Sequence, residues 1–249
     1  MNSSLNNLPT WVPDWSICSS RIALLTIMTP GLPFEPHCKY SACMGQLSDA
    51  VISDDRRALQ VAGHLVGFIH KHGDAYYDGE NTFPEPLLQQ WRKLAVELEP
   101  YTTGQSTDTA LFQTIFAAQL KDGNDYNVTN ELMARWLAAV RLPTNVNVHM
   151  FLEKFEQPDE MYADLVEIRD TIKRVCNGRR FATTTTGYMG LVPAETELGD
   201  IVSVLLGGQV PFILRKRHDH YILVGEAYIH GIMNGESMGN PDLQSFTIR

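Results

Sequence analysis

The chain has 249 residues, of which 44% are hydrophobic and 20% charged, so it has the length and the apolar content to bury a core. Its formal net charge of −9 argues against binding to nucleic acid or to an anionic membrane, because neutralising phosphates requires clustered Lys and Arg. Four scattered cysteines, a start without a signal-peptide pattern and no apolar run of about 20 residues predict a cytoplasmic protein without a disulfide framework.

Residues 1–39 are predicted to form an extended arm and a loop. Within them, LPTWVPDW places Trp11 and Trp15 four positions apart, and the neighbouring prolines disfavour a regular helix. Large aromatic side chains on an extended segment favour burial, so we expect both tryptophans to clamp the arm onto the body of the protein. The alternative is that Trp11 and Trp15 form a docking surface for a protein partner.

Residues 40–79 are predicted to form strands with a break near Gly63. The apolar period then changes from two to nearly four, which predicts a helical segment over residues 80–177. We expect helices beginning near Pro86, near Thr107 and Asp108, near Thr129 and near Asp159. Residues 237–249 are predicted to be a tail.

Residues 178–236 carry several short apolar runs separated by glycine-marked turns. Thr186 and Gly187 separate two such runs, which predicts a hairpin, and IVSVLL predicts a strand that is buried on both faces. The residues expected in turns are Gly187, Gly190, Gly199, Asp200, Gly207, Gly225 and Gly231. Together these patterns predict one α+β domain over residues 1–249, with a small antiparallel SH3-like β-barrel built from 40–79 and 178–236 around the helical insertion.

Two groups of charged residues are candidates for function. Arg215, Lys216 and Arg217 belong to the most concentrated basic run, which is either a solvated hairpin tip or a site for an acidic partner. Glu226 lies among apolar neighbours, so its carboxylate needs a donor or a cation, and we expect Tyr228 and His230 near it at strand spacing.

Metal and cofactor chemistry is not predicted. Cys18, His37, Cys38 and Cys43 lack the paired spacing of a zinc site, and the histidines near Asp74 are more typical of a polar strand end. No nucleophile elbow, phosphate-binding loop or dinucleotide fingerprint is present, so no catalytic residue is assigned.

The chain resembles fungal heterokaryon-incompatibility (HET) proteins in two places. RRFATTTTGYMGLVPAETELGDIVSVLLGGQVPFILR, followed by YILVGEAYIHGIMNGE, is similar to their C-terminal signature, and LPTWVPDWS is similar to the segment just after their HET domain. The family's HET domain would precede Leu8 and is not part of this sequence. Because the resemblance associates death signalling with that domain, we expect residues 1–249 alone to lack the effector.

The resemblance implies a non-enzymatic regulatory or recognition protein, connected with non-self recognition and programmed cell death. It also implies a protein partner, for which a HET-domain protein is one candidate. The alternative is a small-molecule enzyme or ligand-binding protein of a fungal biosynthetic pathway, with its cleft between barrel and helices. The sequence predicts no particular oligomeric state.

Overall fold

The computed structural model describes residues 8–12, 24, 40–78, 84–118 and 171–249. Strands, α-helices, a helical stretch over residues 171–176 and a short 3-10 helix lie within these ranges. In chain order the strands and the other helices are β1 (Val51–Ile52), β2 (Leu59–Tyr76), α1 (Glu85–Val96), α2 (Thr107–Ile115), β3 (Arg179–Thr184), β4 (Met189–Pro193), β5 (Ile201–Leu205), β6 (Phe212–Lys216), β7 (Tyr221–Glu226), β8 (Tyr228–Ile229), the 3-10 helix (Glu236–Met238) and β9 (Leu243–Ile248).

The strands β2, β5, β6, β7 and β9 close into a barrel. Antiparallel pairing joins β2 to β5, β5 to β6, β6 to β7, and β9 back to β2. The remaining contact, between β7 and β9, is parallel and has one register pair, Tyr221 with Ile248. The α+β barrel built from both halves of the chain is therefore confirmed, but the barrel is not wholly antiparallel.

Strand β2 is continuous through Gly63, where the sequence predicts a break. Its first half pairs with β9 and β5, and its second half pairs with β3, which continues through β4 to β8 as an outer sheet. A Cβ atom at Gly63 would lie 2.8 Å from the carbonyl oxygen of Val204. This glycine permits close approach of two strands, and it does not interrupt β2.

Two of the glycines expected in turns lie within strands. Gly190 pairs with Ile229, and a Cβ atom on it would lie 2.2 Å from the carbonyl oxygen of Tyr228. Gly225 lies in β7 beside an irregularity in its pairing with β6. The turn predictions at Gly187, Gly199, Gly207 and Gly231 agree with positive φ angles of 83°, 85°, 82° and 93°. Asp200 follows the Gly199 turn, and its carboxylate accepts from the backbone N–H of Glu197 at 2.8 Å.

The helices α1 and α2 cover one face of the outer sheet. Helix α1 has Pro86 in its first turn and buries Trp91, whose ring stacks on that of Phe181 with centroids 5.9 Å apart. The N-cap of helix α2 is Ser106, one residue before the expected cap, because its side chain accepts from the backbone N–H of Thr109. The helices predicted from Thr129 and Asp159 lie outside the described residues, except for helical residues 171–176.

The sequence predicts a tail over residues 237–249, whereas the structure places β9 there. Leu243–Ile248 pairs with β2 in six register positions, from Leu59 with Ile248 to His64 with Leu243. Phe246 and Ile248 are buried in the barrel with Val61 and Leu214, while Ser245 is exposed. The C-terminal segment thus closes the barrel, because its alternate residues carry part of the core.

Substitution of Phe246 tests whether β9 is part of the cooperative core. Replacing the fully buried ring by alanine leaves a cavity, so Phe246→Ala should lower the free energy of unfolding by about 3–5 kcal/mol. Gln244→Ala, at an exposed position of the same strand, is the matched control and should change little. Urea denaturation measures both. Equal, small effects would contradict the assignment of β9 to the core.

Candidate functional site

Tyr228 and His230 form a buried polar cluster with side chains from the loop before α2. The Tyr228 hydroxyl lies 3.0 Å from Nδ1 of His230, and Nε2 of His230 lies 2.7 Å from Oε1 of Gln105. The Tyr101 hydroxyl donates to the backbone carbonyl of His230 at 2.8 Å and accepts from the backbone N–H of Met189 at 3.2 Å. The Tyr101 ring also stacks on the imidazole, with centroids 5.7 Å apart. The cluster therefore joins the loop before α2 to strands β4 and β8.

The hydrogen bonds of this cluster define one tautomer of His230. Because the amide oxygen of Gln105 can only accept, Nε2 carries the proton and Nδ1 accepts from the Tyr228 hydroxyl. Burial lowers the pKa of His230 from 6.5 to about 4, against a smaller opposing effect of the Glu236 carboxylate. Burial also raises the pKa values of Tyr228 and Tyr101 above their usual range. At neutral pH the cluster is uncharged, and its hydrogen bonds hold the loop before α2 against β4 and β8.

Glu226 lies apart from that cluster and pairs with Arg179. The Nη2 atom of Arg179 lies 2.9 Å from Oε1 of Glu226, and its Nη1 donates to the carbonyl of Val175 at 2.8 Å. The same Glu226 oxygen accepts the backbone N–H of Leu24 at 2.6 Å. Arg179 is 1% exposed and Glu226 is 23% exposed, so the pair is buried on the arginine side. The predicted need for a donor or a cation is met by Arg179 and by the backbone N–H of Leu24, while Tyr228 and His230 bind each other and the loop before α2.

The basic run divides between an internal ion pair and an exposed tip. Nε and Nη2 of Arg215 bind both carboxylate oxygens of Asp200, at 2.9 and 2.8 Å, and Nη1 lies 2.9 Å from Glu197. Hydrogen bonding to Asp200 raises the pKa of Arg215 above its usual value. Lys216 and Arg217 are exposed at the β6–β7 hairpin. Partner binding by the run stays a prediction, with these two residues at the surface and Arg215 engaged within the chain.

The N-terminal segment 8–12 packs beside the one parallel contact of the barrel. The Thr10 hydroxyl accepts the backbone N–H of Leu223 at 3.0 Å and donates to the carbonyl of Arg249. The half-buried ring of Trp11 packs on the barrel core that contains Phe246 and Ile248. Trp11 thus clamps the arm in the expected way, whereas Trp15 lies outside the described residues. Its role and that of Trp11 in partner binding stay predictions.

Sequence reasoning missed the partners that complete these groups. Gln105 lies 125 residues from His230, and Thr10 lies 213 residues from Leu223, so no local spacing signals either contact. Arg179 carries a detectable signal, since it lies two residues before Phe181 in β3 and side chains two positions apart share one face of a strand. The second arginine of that strand, Arg180, faces His72 and the loop after β4.

The described ranges contain neither a cluster of side chains placed to hold a metal ion nor a helix that could span a membrane. No group of three His, Cys, Asp or Glu residues there is placed to hold a metal ion. Cys18, His37 and Cys38 lie outside those ranges, while Cys43 is buried with a free thiol. No helix in the described part of the chain is long and apolar enough to span a bilayer.

The model of the Het-6 beta-barrel domain family matches residues 72–247. This is more than half of the chain, and the chain therefore belongs to the Het-6 β-barrel family, which confirms the resemblance to HET proteins. Heterokaryon incompatibility protein 6, OR allele, of Neurospora crassa is 36% identical over 77 residues, which are 29% of this chain and 11% of that protein. The match thus covers a small part of the relative's length. No solved structure matches the chain.

The buried imidazole makes stability depend on pH. The pKa of His230 is about 4 in the folded state and 6.5 as its ordinary value, so the unfolded chain binds more protons between these values. Stability contributed by this group is fully present above pH 6.5 and is lost as the pH falls towards 4, by about 3 kcal/mol in total. Urea denaturation at several pH values should show this slope in the natural chain and a flatter one in His230→Gln. His218→Gln, at an exposed position, is the control.

The Arg179–Glu226 pair provides a test of buried charge. Glu226→Gln removes a carboxylate that pairs with the buried guanidinium of Arg179, so the free energy of unfolding should fall by about 3 kcal/mol. Adding Arg179→Met to that variant removes the buried cation and should restore part of the loss. Glu97→Gln, which breaks an exposed pair with Lys71, should have little effect. A double variant less stable than Glu226→Gln alone would contradict the ion-pair explanation.

Proposed function

We propose that the chain is a non-enzymatic recognition or regulatory protein of heterokaryon incompatibility, linked to non-self recognition and programmed cell death and acting in the cytoplasm. The family match over residues 72–247 is the observation that carries this proposal. The Neurospora relative is named for heterokaryon incompatibility, although it is aligned over 11% of its length. A protein partner follows from such a role, and a HET-domain protein is our first candidate.

The use of the buried polar groups supports a recognition role. His230 and Tyr228 bind each other and the loop before α2, and Arg179 binds Glu226, so these groups stabilise the scaffold. A scaffold of this kind acts through its surface. Exposed apolar side chains lie in the segment before β2. Leu47 is 89% exposed, and Val51 and Ile52 of β1 are about half exposed. Lys216 and Arg217 supply the exposed positive charge on the β6–β7 hairpin.

We also propose that the barrel is SH3-like. Its strands follow one another around the barrel in chain order, β2, β5, β6, β7 and β9. The turn between β6 and β7 is short, and a 3-10 helix, Glu236–Met238, lies between the last two barrel strands. SH3 domains bind peptides in aromatic-lined grooves, which fits a protein partner by fold-level analogy.

Expression in a filamentous fungus tests the proposed function. Residues 1–249 alone should leave growth and viability staining unchanged, and they should reduce killing by a co-expressed full-length HET relative by competing for its partner. The Lys216→Ala, Arg217→Ala double variant should lose this competition and the partner in a pull-down. Arg57→Ala with Lys93→Ala, which removes the same charge at other exposed positions, should retain both.

Two outcomes would overturn the proposal. Killing by the isolated chain that Trp11→Ala with Trp15→Ala abolishes, in a protein shown by circular dichroism to be folded, would mean that this body carries an effector. Capture of a small molecule in place of a protein, with turnover of that molecule by the purified chain, would favour the alternative of an enzyme.

A further inference from the structure

Among the described residues, the guanidinium of Arg180 contacts an imidazole and a backbone carbonyl but no carboxylate. Its Nη1 atom lies 3.0 and 3.3 Å from the two ring nitrogens of His72 and 3.4 Å from the carbonyl oxygen of Thr196. Its Nε atom is buried and has no hydrogen-bond partner among the described residues. Within the same ranges, no ion pair joins Arg180 to a carboxylate.

Two arginines of the same chain show what the free edge of Arg180 accepts. Arg92 binds Asp108 through Nε and Nη2, at 2.9 and 2.8 Å, and Arg215 binds Asp200 through the same two atoms. In both cases the planar edge of the guanidinium receives the two oxygens of one carboxylate. In Arg180 this edge is unoccupied, because the contacts described for its side chain all involve Nη1.

A second unpartnered group belongs to Thr196, the residue whose carbonyl contacts Nη1 of Arg180. The Thr196 side chain is 1% exposed, and its hydroxyl has no hydrogen-bond partner in the described part of the chain. Buried polar atoms without partners are rare in native proteins and point to a bound water, ion or ligand. Two arginine side chains hold this loop in place, since the carbonyls of Thr196 and Glu195 accept from Arg180 and Arg215. The half-buried His72 ring completes the group on the β2 side.

We propose that Arg180, Thr196 and His72 form a binding site for a carboxylate group. One carboxylate supplies the counter-charge and two acceptors for Nε and Nη2, and a small rotation of the half-buried Arg180 side chain admits it to the enclosed Nε atom. The Thr196 hydroxyl donates to the same oxygens. The carboxylate comes either from an acidic side chain of a protein or from a free small acid. This site goes beyond the recognition function proposed above and does not depend on it.

Nuclear magnetic resonance of the arginine Nε–H groups tests the site in the full chain labelled with ¹⁵N. The probes are succinate, inorganic phosphate and a tetraglutamate peptide with blocked ends, each titrated at constant ionic strength against chloride. A saturable shift of the Arg180 resonance with a carboxylate probe is expected, while the Arg92 and Arg215 resonances stay unchanged. Stronger binding of the peptide than of succinate would assign the carboxylate to a protein, and the reverse order would assign it to a small acid.

Substitutions separate the ligand site from simple charge. Arg180→Gln and Arg180→Lys should each weaken carboxylate binding about tenfold or more, because a lysine keeps the charge but lacks the planar edge. Thr196→Val should weaken it less, and Arg92→Gln is the matched control with an edge that Asp108 already occupies. If the Arg180 variants do not fold, the titration of the natural chain and of Thr196→Val decides. A shift that is linear and equal to that with chloride, or tighter binding of phosphate than of either carboxylate, would overturn the proposal.

Discussion

The structure depends on one strand that belongs to two sheets. The first half of β2 pairs with β9 and β5 in the barrel, and its second half pairs with β3 in the outer sheet. Because these partners come from residues 179–248, the strand connects the N-terminal and C-terminal parts of the chain across the residues between β2 and β3. The paired residues are far apart in sequence, so the entropy cost of bringing them together must be offset by the burial of apolar side chains.

The second constraint is the weak contact between β7 and β9. A single parallel pair joins them, and the Thr10 hydroxyl bridges Leu223 to the carbonyl of Arg249 beside it. Farther along β7, Glu226 accepts the backbone N–H of Leu24. Both contacts tie residues of the N-terminal arm to β7, whose contact with β9 has a single register pair. The barrel is thus completed by side chains where backbone pairing ends.

The predictability of the fold follows from how local each signal is. The β3–β4 hairpin was predictable because Thr186 and Gly187 sit between two apolar runs. Strand β9 also carries a period of two, in which Phe246 and Ile248 are buried and Ser245 is exposed, but the preceding glycines and polar residues favour a tail. Gly190 was placed in a turn because a glycine required for close strand packing has the same sequence signal as a turn glycine, and Gly225 lies in β7 beside an irregularity in its pairing with β6.

The candidate sites were less predictable, because their partners come from distant residues. The carboxylate of Glu226 required a donor or a cation by elementary electrostatics. No residue near it in sequence identifies Arg179, which is 47 residues away, as that cation. The pKa of His230 depends on burial beneath the loop before α2, which a one-dimensional pattern does not contain. Sequence thus indicates which groups need partners, while topology decides which partners they receive.

The neighbouring residues Arg179 and Arg180 show how topology gives one dipeptide two roles. Successive residues of a strand point to opposite faces, so β3 directs Arg179 towards Val175 and Glu226, and Arg180 towards His72 and the Thr196 loop. On the first face, a carboxylate of the chain itself balances the charge and stabilises the fold. On the second face, the described residues supply a carbonyl and an imidazole but no carboxylate. One strand thus holds an arginine that is paired within the chain and, next to it, an arginine to which the described residues offer no carboxylate.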